Sequence, residues 1–223
     1  MIRRILRARL PLVIFILILL SFLIAGSIII HITLTSNLVN GGWLHIKTNF
    51  YELNFPKDWR VDRGEIRGEN KSISIFNLVS ADLRTILHLR FYDENATRDF
   101  MQENNLTNAS QVLALESQQL YNWSLTQNEN ATFSIEEEGL MELHGYKAYY
   151  MLIKIDDGYK GGDTFYNVTC LIISSFINSE NGEKLFEIIF YGERSSWEKN
   201  HQYFEEIMDS MRIFSSEERI PGG

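Results

Sequence analysis

From Leu10 to Ile32 the chain is almost wholly apolar, interrupted only by Ser21, Ser27 and His31. As an α-helix this run spans about 34 Å, enough for the roughly 30 Å of hydrocarbon in a bilayer. Pro11 falls in the first turn, where a missing amide hydrogen costs little. Arg3, Arg4, Arg7 and Arg9 precede it and favour the cytoplasmic side. The expectation is a single-pass cell-membrane protein. Residues 1–32 form a cytoplasmic basic stub and a transmembrane helix held in lipid through residues 10–32, and residues 33–47 form a linker. Residues 48–216 form an extracytoplasmic domain and residues 217–223 a polar tail. A cleaved secretion signal is the competing reading: Ala25, Gly26 and Ser27 are small, although more apolar sequence follows them. Both readings deliver the body of the chain to the same side.

Charge agrees with this division. The four N-terminal arginines are the only charges before Lys47; setting them aside leaves 17 basic residues against 29 acidic ones, a net charge of -12 beyond the apolar run. Nucleic acid is therefore not an expected partner. The single cysteine, Cys170, excludes an intrachain disulfide, and its apolar surroundings predict a buried thiol packing as a small hydrophobe.

Seven Asn-x-Ser/Thr sequons occur, at Asn70, Asn95, Asn105, Asn108, Asn122, Asn130 and Asn167. That is roughly three times what chance pairing gives, and all lie beyond the apolar run. They are candidate N-glycosylation sites on an outward-facing domain. For any one of them, the tendency of Asn, Ser and Thr to gather in polar turns is an equal explanation.

Periodicity predicts an α+β fold. Strands are expected at 50–55, 72–76, 85–92, 132–137, 146–155, 165–176 and 185–191, the last three apolar on both faces and so central in a covered sheet. Residues 33–48 read as a tether. In the strand at 85–92, Leu87, Leu89 and Phe91 share one face, and His88 shares the other with Arg90 and reads as solvated. Short helices at 97–103 and 110–121 are expected to cover the sheet. Asp156-Asp157-Gly158 and Asn181-Gly182 read as hairpin turns. A last helix is predicted from a capping box, Ser195 with Glu198, and from the stripe of Trp197, Phe204, Met208 and Met211; Arg212 to Phe214 adds a closing segment.

Three stretches carry a family resemblance. They are Tyr51-Glu52-Leu53-Asn54-Phe55-Pro56-Lys57-Asp58-Trp59, then Leu143-His144-Gly145-Tyr146-Lys147-Ala148-Tyr149, and the closing helix from Phe204 through Ile207, Met208, Ser210 and Met211 to Phe214. Together they resemble the PsbP-like family, over about residues 48 to 215. The resemblance implies a central antiparallel β-sheet flanked by helices and a tendency toward accessory or binding roles. Plant members assist photosystem II at the thylakoid lumen, and nothing here matches that context.

No phosphate loop, dinucleotide fingerprint, Gly-x-Ser-x-Gly elbow or His-Glu-x-x-His zinc helix is present, and the five histidines lack ligand spacing. Asp156, Asp157 and Asp163 on a glycine-rich segment are weak calcium candidates, since three carboxylates there can supply oxygen ligands. Glu136-Glu137-Glu138 reads as a charged strand end that discourages edge pairing. The sequence thus predicts a non-enzymatic, membrane-anchored binding or accessory domain. It needs no cofactor, and its expected partner is an envelope protein or a membrane complex. The alternatives are a cell-surface hydrolase built from unlinked residues and a calcium-dependent adhesion or sensor module.

Overall fold

The computed structural model describes residues 42–48, 50–68 and 71–214. The expected transmembrane segment, Asn70, most of the linker and the polar tail lie outside them. No helix among the described residues is long and apolar enough to cross a membrane.

Alternation of side chains decides the layers. Strands β1 (Trp43–Lys47), β2 (Tyr51–Pro56), β3 (Arg60–Gly68), β4 (Lys71–Val79) and β5 (Thr85–Tyr92) come first. Helices α1 (Glu94–Glu103) and α2 (Ala109–Gln127) follow. Then come β6 (Thr132–Leu143), β7 (Tyr146–Gly161), β8 (Thr164–Ser179), β9 (Gly182–Glu193), helix α3 (Arg194–Ser210) and β10 (Arg212–Ile213). All pairings are antiparallel and make two sheets: seven strands in the order β3-β4-β5-β9-β8-β7-β6, and three in the order β1-β2-β10.

On β9, Phe186, Ile188 and Phe190 pack with Leu87, Leu89 and Phe91 of β5 beneath the small sheet and α3, in a core that includes Leu53, Phe55, Trp59, Phe204 and Ile207. The alternate residues face α1 and α2. There Ile153, Ile155, Cys170, Ile172 and Ile189 pack with Leu113 of α2, and Tyr92 and Leu185 pack with Ala96 of α1. A strand apolar on both faces therefore marks a strand with a layer on each side, as expected for β8 and β9.

Several expectations are corrected. Trp43–Lys47, assigned to the linker, is a strand paired to β2, because Leu44 and Ile46 complete the small sheet's core face. β3 was not foreseen; its charged sequence suits an edge. β6 runs on to Leu143 instead of stopping at the glutamates. Asp156-Asp157-Gly158 is a bulge inside β7, between Ile155 and Tyr159, and the chain turns at Gly162 and Asp163 instead. The helix α3 starts at Arg194 with Glu193 as its N-cap and no side-chain capping bond, so the Ser195–Glu198 box is not formed. Its apolar stripe does pack into the core, with Trp197, Phe204 and Met211 buried and Met208 partly so.

Candidate functional site

Two polar networks lie inside the fold. The first sits on the helix-facing side of β5 and β9, the layer filled elsewhere by apolar side chains. Strand alternation points His88, Arg90 and Tyr92 of β5 the same way as Glu187 of β9, which pairs with Arg90 in register. The Arg90 guanidinium donates through Nη1 to Glu116 Oε1 of α2 at 2.8 Å and lies 3.6 Å from Glu187 Oε2. Through Nε it donates to His88 Nε2 at 2.6 Å, and His88 Nδ1 bonds Asn77 Oδ1 of β4. An imidazole that accepts at Nε2 must carry its proton at Nδ1, so His88 is neutral.

Burial sets the electrostatics. Glu187 is fully buried, and Arg90 and Tyr92 are the polar neighbours that favour its charged form. That burial, with Glu116 nearby adding negative charge, raises the Glu187 carboxyl from 4.5 to about 7 despite the opposing pull of Arg90. Burial, helped by the Arg90 charge, lowers His88 from 6.5 to about 4. Arg90 is itself desolvated, yet the two carboxylates more than compensate and hold its proton firmly. The expectation of a solvated His88 is corrected: it is half-buried and bonded on both ring nitrogens, to Asn77 and Arg90.

The second network joins the β4–β5 turn to the start of α3. Ser196 Oγ donates to Asp82 Oδ2 at 2.7 Å, Ser80 Oγ donates to Asp82 Oδ1 at 2.5 Å, and the Arg84 amide also reaches that oxygen. Thr85 and Ser196 share a hydroxyl contact of 2.5 Å, and Asn200 Nδ2 donates back to the Ser196 carbonyl. Burial works against the Asp82 charge, but the Ser80 and Ser196 hydroxyls hold its carboxyl below the usual range. This network does the anchoring that the capping box was expected to do.

The weak calcium candidates do not converge. Asp156 is bonded to Arg194 Nη2 at 2.8 Å, Asp157 sits in the bulge with its amide donating to Asn167, and Asp163 occupies the hairpin tip beyond Tyr159 and Gly161. Among the described residues no group of His, Cys, Asp and Glu is arranged to hold a metal ion. Of the sequons, Asn95, Asn105, Asn108, Asn122 and Asn130 are exposed, and Asn167 is half-buried. Asn108 is also the N-cap of α2, accepting from the Gln111 amide.

Sequence reasoning passed over Glu187, Glu116 and Arg90 as a group. One signal was there: Glu187 is the lone charge inside Leu185-Phe186-Glu187-Ile188-Ile189-Phe190, and a charge placed so must find a partner across the sheet.

No protein-family model matches the sequence, and no curated protein does. Among solved structures the chain is similar to the cyanobacterial PsbP, CyanoP, from Synechocystis, with 10% identity, TM-score 0.48 and coverage of 80% of this chain and 96% of that one. It is similar also to LpqN of Mycobacterium tuberculosis, involved in cell envelope biogenesis, with 12% identity, TM-score 0.39 and coverage of 79% and 87%. A third is PA94 of Pseudomonas aeruginosa, a protein of unknown function, with 11% identity, TM-score 0.37 and coverage of 82% and 99%. These are likenesses in the arrangement of sheet and helices, at TM-scores too low to carry an argument about family or role.

Proposed function

We propose that this chain is a membrane-anchored, extracytoplasmic accessory domain of PsbP-like type that binds a protein of the envelope or a membrane complex and performs no chemistry of its own. The observation that carries the reading is the use the fold makes of its ionisable groups. Arg90 is spent on Glu116 and His88, joining β5 to α2, and Asp82 is spent on Ser80 and Ser196, joining the β4–β5 turn to α3. A general acid or base must reach a substrate proton, and these groups reach each other.

The arginine-flanked run from Leu10 to Ile32 supports an outward orientation, as do five exposed sequons within the segment from Asp93 to Asn130. The three PsbP-like stretches support an accessory role: in the structure they are β2 with the buried Trp59, the β6–β7 hairpin, and the end of α3 with β10. The calcium-dependent alternative needs Asp156, Asp157 and Asp163 together, and Arg194 already holds Asp156.

The deciding experiment is extraction of native membranes in mild detergent, with identification of what co-purifies, alongside protease treatment of intact cells. The expected result is digestion of the C-terminal body from outside and a protein partner in constant ratio to the chain. A body that resists protease while known surface proteins are cut overturns the orientation. Purified chain that hydrolyses ester or glycoside substrates, and loses that activity on Glu187→Gln, overturns the non-enzymatic role.

A further inference from the structure

The geometry points to the free edge of β6 as a docking site for an extended basic segment of a partner protein, which adds to the seven-stranded sheet as an eighth strand. This rests on the reading of the chain as a binding domain and names the surface and the chemistry of what it binds.

β6 ends the strand order, and its regular part is fixed by the turn that follows. His144 and Gly145 both have positive φ, 51° and 85°, as in a two-residue type I′ hairpin turn. In that geometry the flanking pair, Leu143 with Tyr146, exchanges backbone hydrogen bonds, and bonded pairs recur at every second position. Met141 with Ala148 and Gly139 with Tyr150 are therefore bonded to β7. Glu138, Leu140 and Glu142 aim their N–H and C=O groups the other way, where no strand lies among the described residues.

The side chains of these three share one face and alternate acid, leucine, acid. Leu140 is 55% exposed. Neighbouring acids are occupied: Glu136 accepts from Lys154 at 2.9 Å and Glu137 from Tyr150 at 2.5 Å. Among the described residues Glu138 and Glu142 have no such partner. Lys147, opposite Glu142, lies over the Tyr149 ring instead. A shallow groove of about 410 Å³, lined by Leu140, Met141, Glu142, Gly145 and Lys147, runs beside the edge.

Charges on an edge strand commonly serve only to keep other strands away. β3, at the opposite edge, fits that role, with Arg60, Asp62, Arg63 and Glu65 mixed in sign. β6 differs: its outward positions carry one sign and hold an exposed leucine between them. Such an edge repels a second β6 and selects a strand with Lys or Arg at positions i and i+4 and an apolar residue at i+2.

The test uses the full chain in detergent micelles and a fluorescent peptide, acetyl-Thr-Lys-Thr-Val-Thr-Lys-Thr-amide, with a second peptide carrying Glu in place of Lys. Anisotropy is expected to show binding of the lysine peptide and at least about tenfold weaker binding of the glutamate one. Leu140→Pro, which removes an outward amide without breaking a bond to β7, is expected to abolish binding. The paired change Glu138→Lys with Glu142→Lys alters only exposed side chains and is expected to reverse the preference. It keeps the test decisive if the proline variant fails to melt cooperatively by circular dichroism. Equal binding of both peptides, or lysine-peptide binding that survives in folded Leu140→Pro, overturns the proposal. So does self-association abolished by Leu140→Pro with no peptide bound, which assigns the edge to a second copy. The assay needs no native partner, so its failure leaves the co-purification result standing. A partner retained by Leu140→Pro membranes places binding elsewhere.

Discussion

Arg90 of β5 donates to Glu116 of α2 across 2.8 Å, and this contact is the polar tie between the second helix and the central strands. The rest of that helix lies over β7 and β8 through Leu113, Leu120 and Leu125. The same guanidinium sits 3.6 Å from the buried Glu187, so one cation serves two carboxylates. Replacing Arg90 with Met leaves Glu187 buried beside Glu116 with no compensating charge. Breaking a buried pair by removing one partner costs about 3–5 kcal/mol, and Arg90→Met is expected to fall there in urea unfolding at pH 7. Arg90→Met with Glu187→Gln is expected to recover part of that loss, because one of the two buried carboxyls that Arg90 had compensated is gone.

The two shifted groups give the domain opposing responses to pH. Glu187 is raised from 4.5 to about 7, so its protonated form adds stability that is complete below 4.5 and lost as pH rises to about 7. His88 is lowered from 6.5 to about 4, so its neutral form adds stability that is complete above 6.5 and lost as pH falls to about 4. Between about pH 4.5 and 6.5 the two offset each other. Urea midpoints of the native chain are therefore expected to change little across that window. Glu187→Gln should leave stability rising with pH, and His88→Gln should leave it falling. Parallel curves for the two variants would show that one of the assigned directions is wrong.

Glycine at 192 is required by the approach of a neighbouring backbone. Gly192 pairs with Thr85, and a Cβ there would stand 2.4 Å from the Arg84 carbonyl oxygen and 2.8 Å from the Thr85 Cα. Backbone of a paired strand cannot yield as a flexible side chain can, so Gly192→Ala is expected to cost about 3 kcal/mol or more. Gly64→Ala is the control. Its Cβ would meet only Ile75 Cβ at 3.8 Å on the β3 edge, and its thermal midpoint is expected to stay within a few degrees of native.

What the sequence disclosed and what it concealed divide along physical lines. The strand Thr85–Tyr92 is where alternation places it, and β7, β8 and β9 are apolar on both faces because both faces are covered. Periodicity of this kind reports burial, and burial is local to the strand. The Asp156-Asp157-Gly158 bulge looks like a turn because its composition is that of a turn. Only pairing with Asn167 and Tyr166 across the hairpin shows that the strand resumes at Tyr159. The capping box at Ser195 loses to Ser196, whose hydroxyl finds Asp82 at a separation of 114 residues, a partner no window could contain. The polar network was half legible: Glu187 stands out in its strand, but Glu116 in α2 carries no mark distinguishing it from any surface glutamate.

The β6–β7 turn allows a stabilising prediction. His144 adopts φ 51°, a conformation that costs energy for a residue with an ordinary side chain, while Asn adopts it readily and Asn-Gly is the preferred type I′ pair. The His144 side chain is exposed and outside the two networks, and its contact with the Met208 backbone of α3, which Asn gives up, limits the gain. His144→Asn is therefore expected to raise stability by about 0.5 kcal/mol, and Gly145→Ala to lower it by about 1 kcal/mol.

Cys170 offers a direct reading of how firmly the second helix is held. It lies at the centre of β8 with 0% exposure, on the same face as Val168 and Ile172 beneath α2, and burial pushes its thiol well above the usual range. A thiol reagent attacks the thiolate, so native Cys170 is protected twice, by access and by protonation. Labelling is expected to be far slower than for a free cysteine peptide and to proceed only through opening of the structure. If α2 lifts as a unit, Glu116→Gln should speed labelling more than it lowers the global urea midpoint, since the Arg90 tie is lost without disturbing the core beneath α3. If protection from labelling instead falls in step with global stability across Glu116→Gln and Gly192→Ala, α2 opens only when the whole domain does, and the Arg90–Glu116 contact holds no independent unit in place.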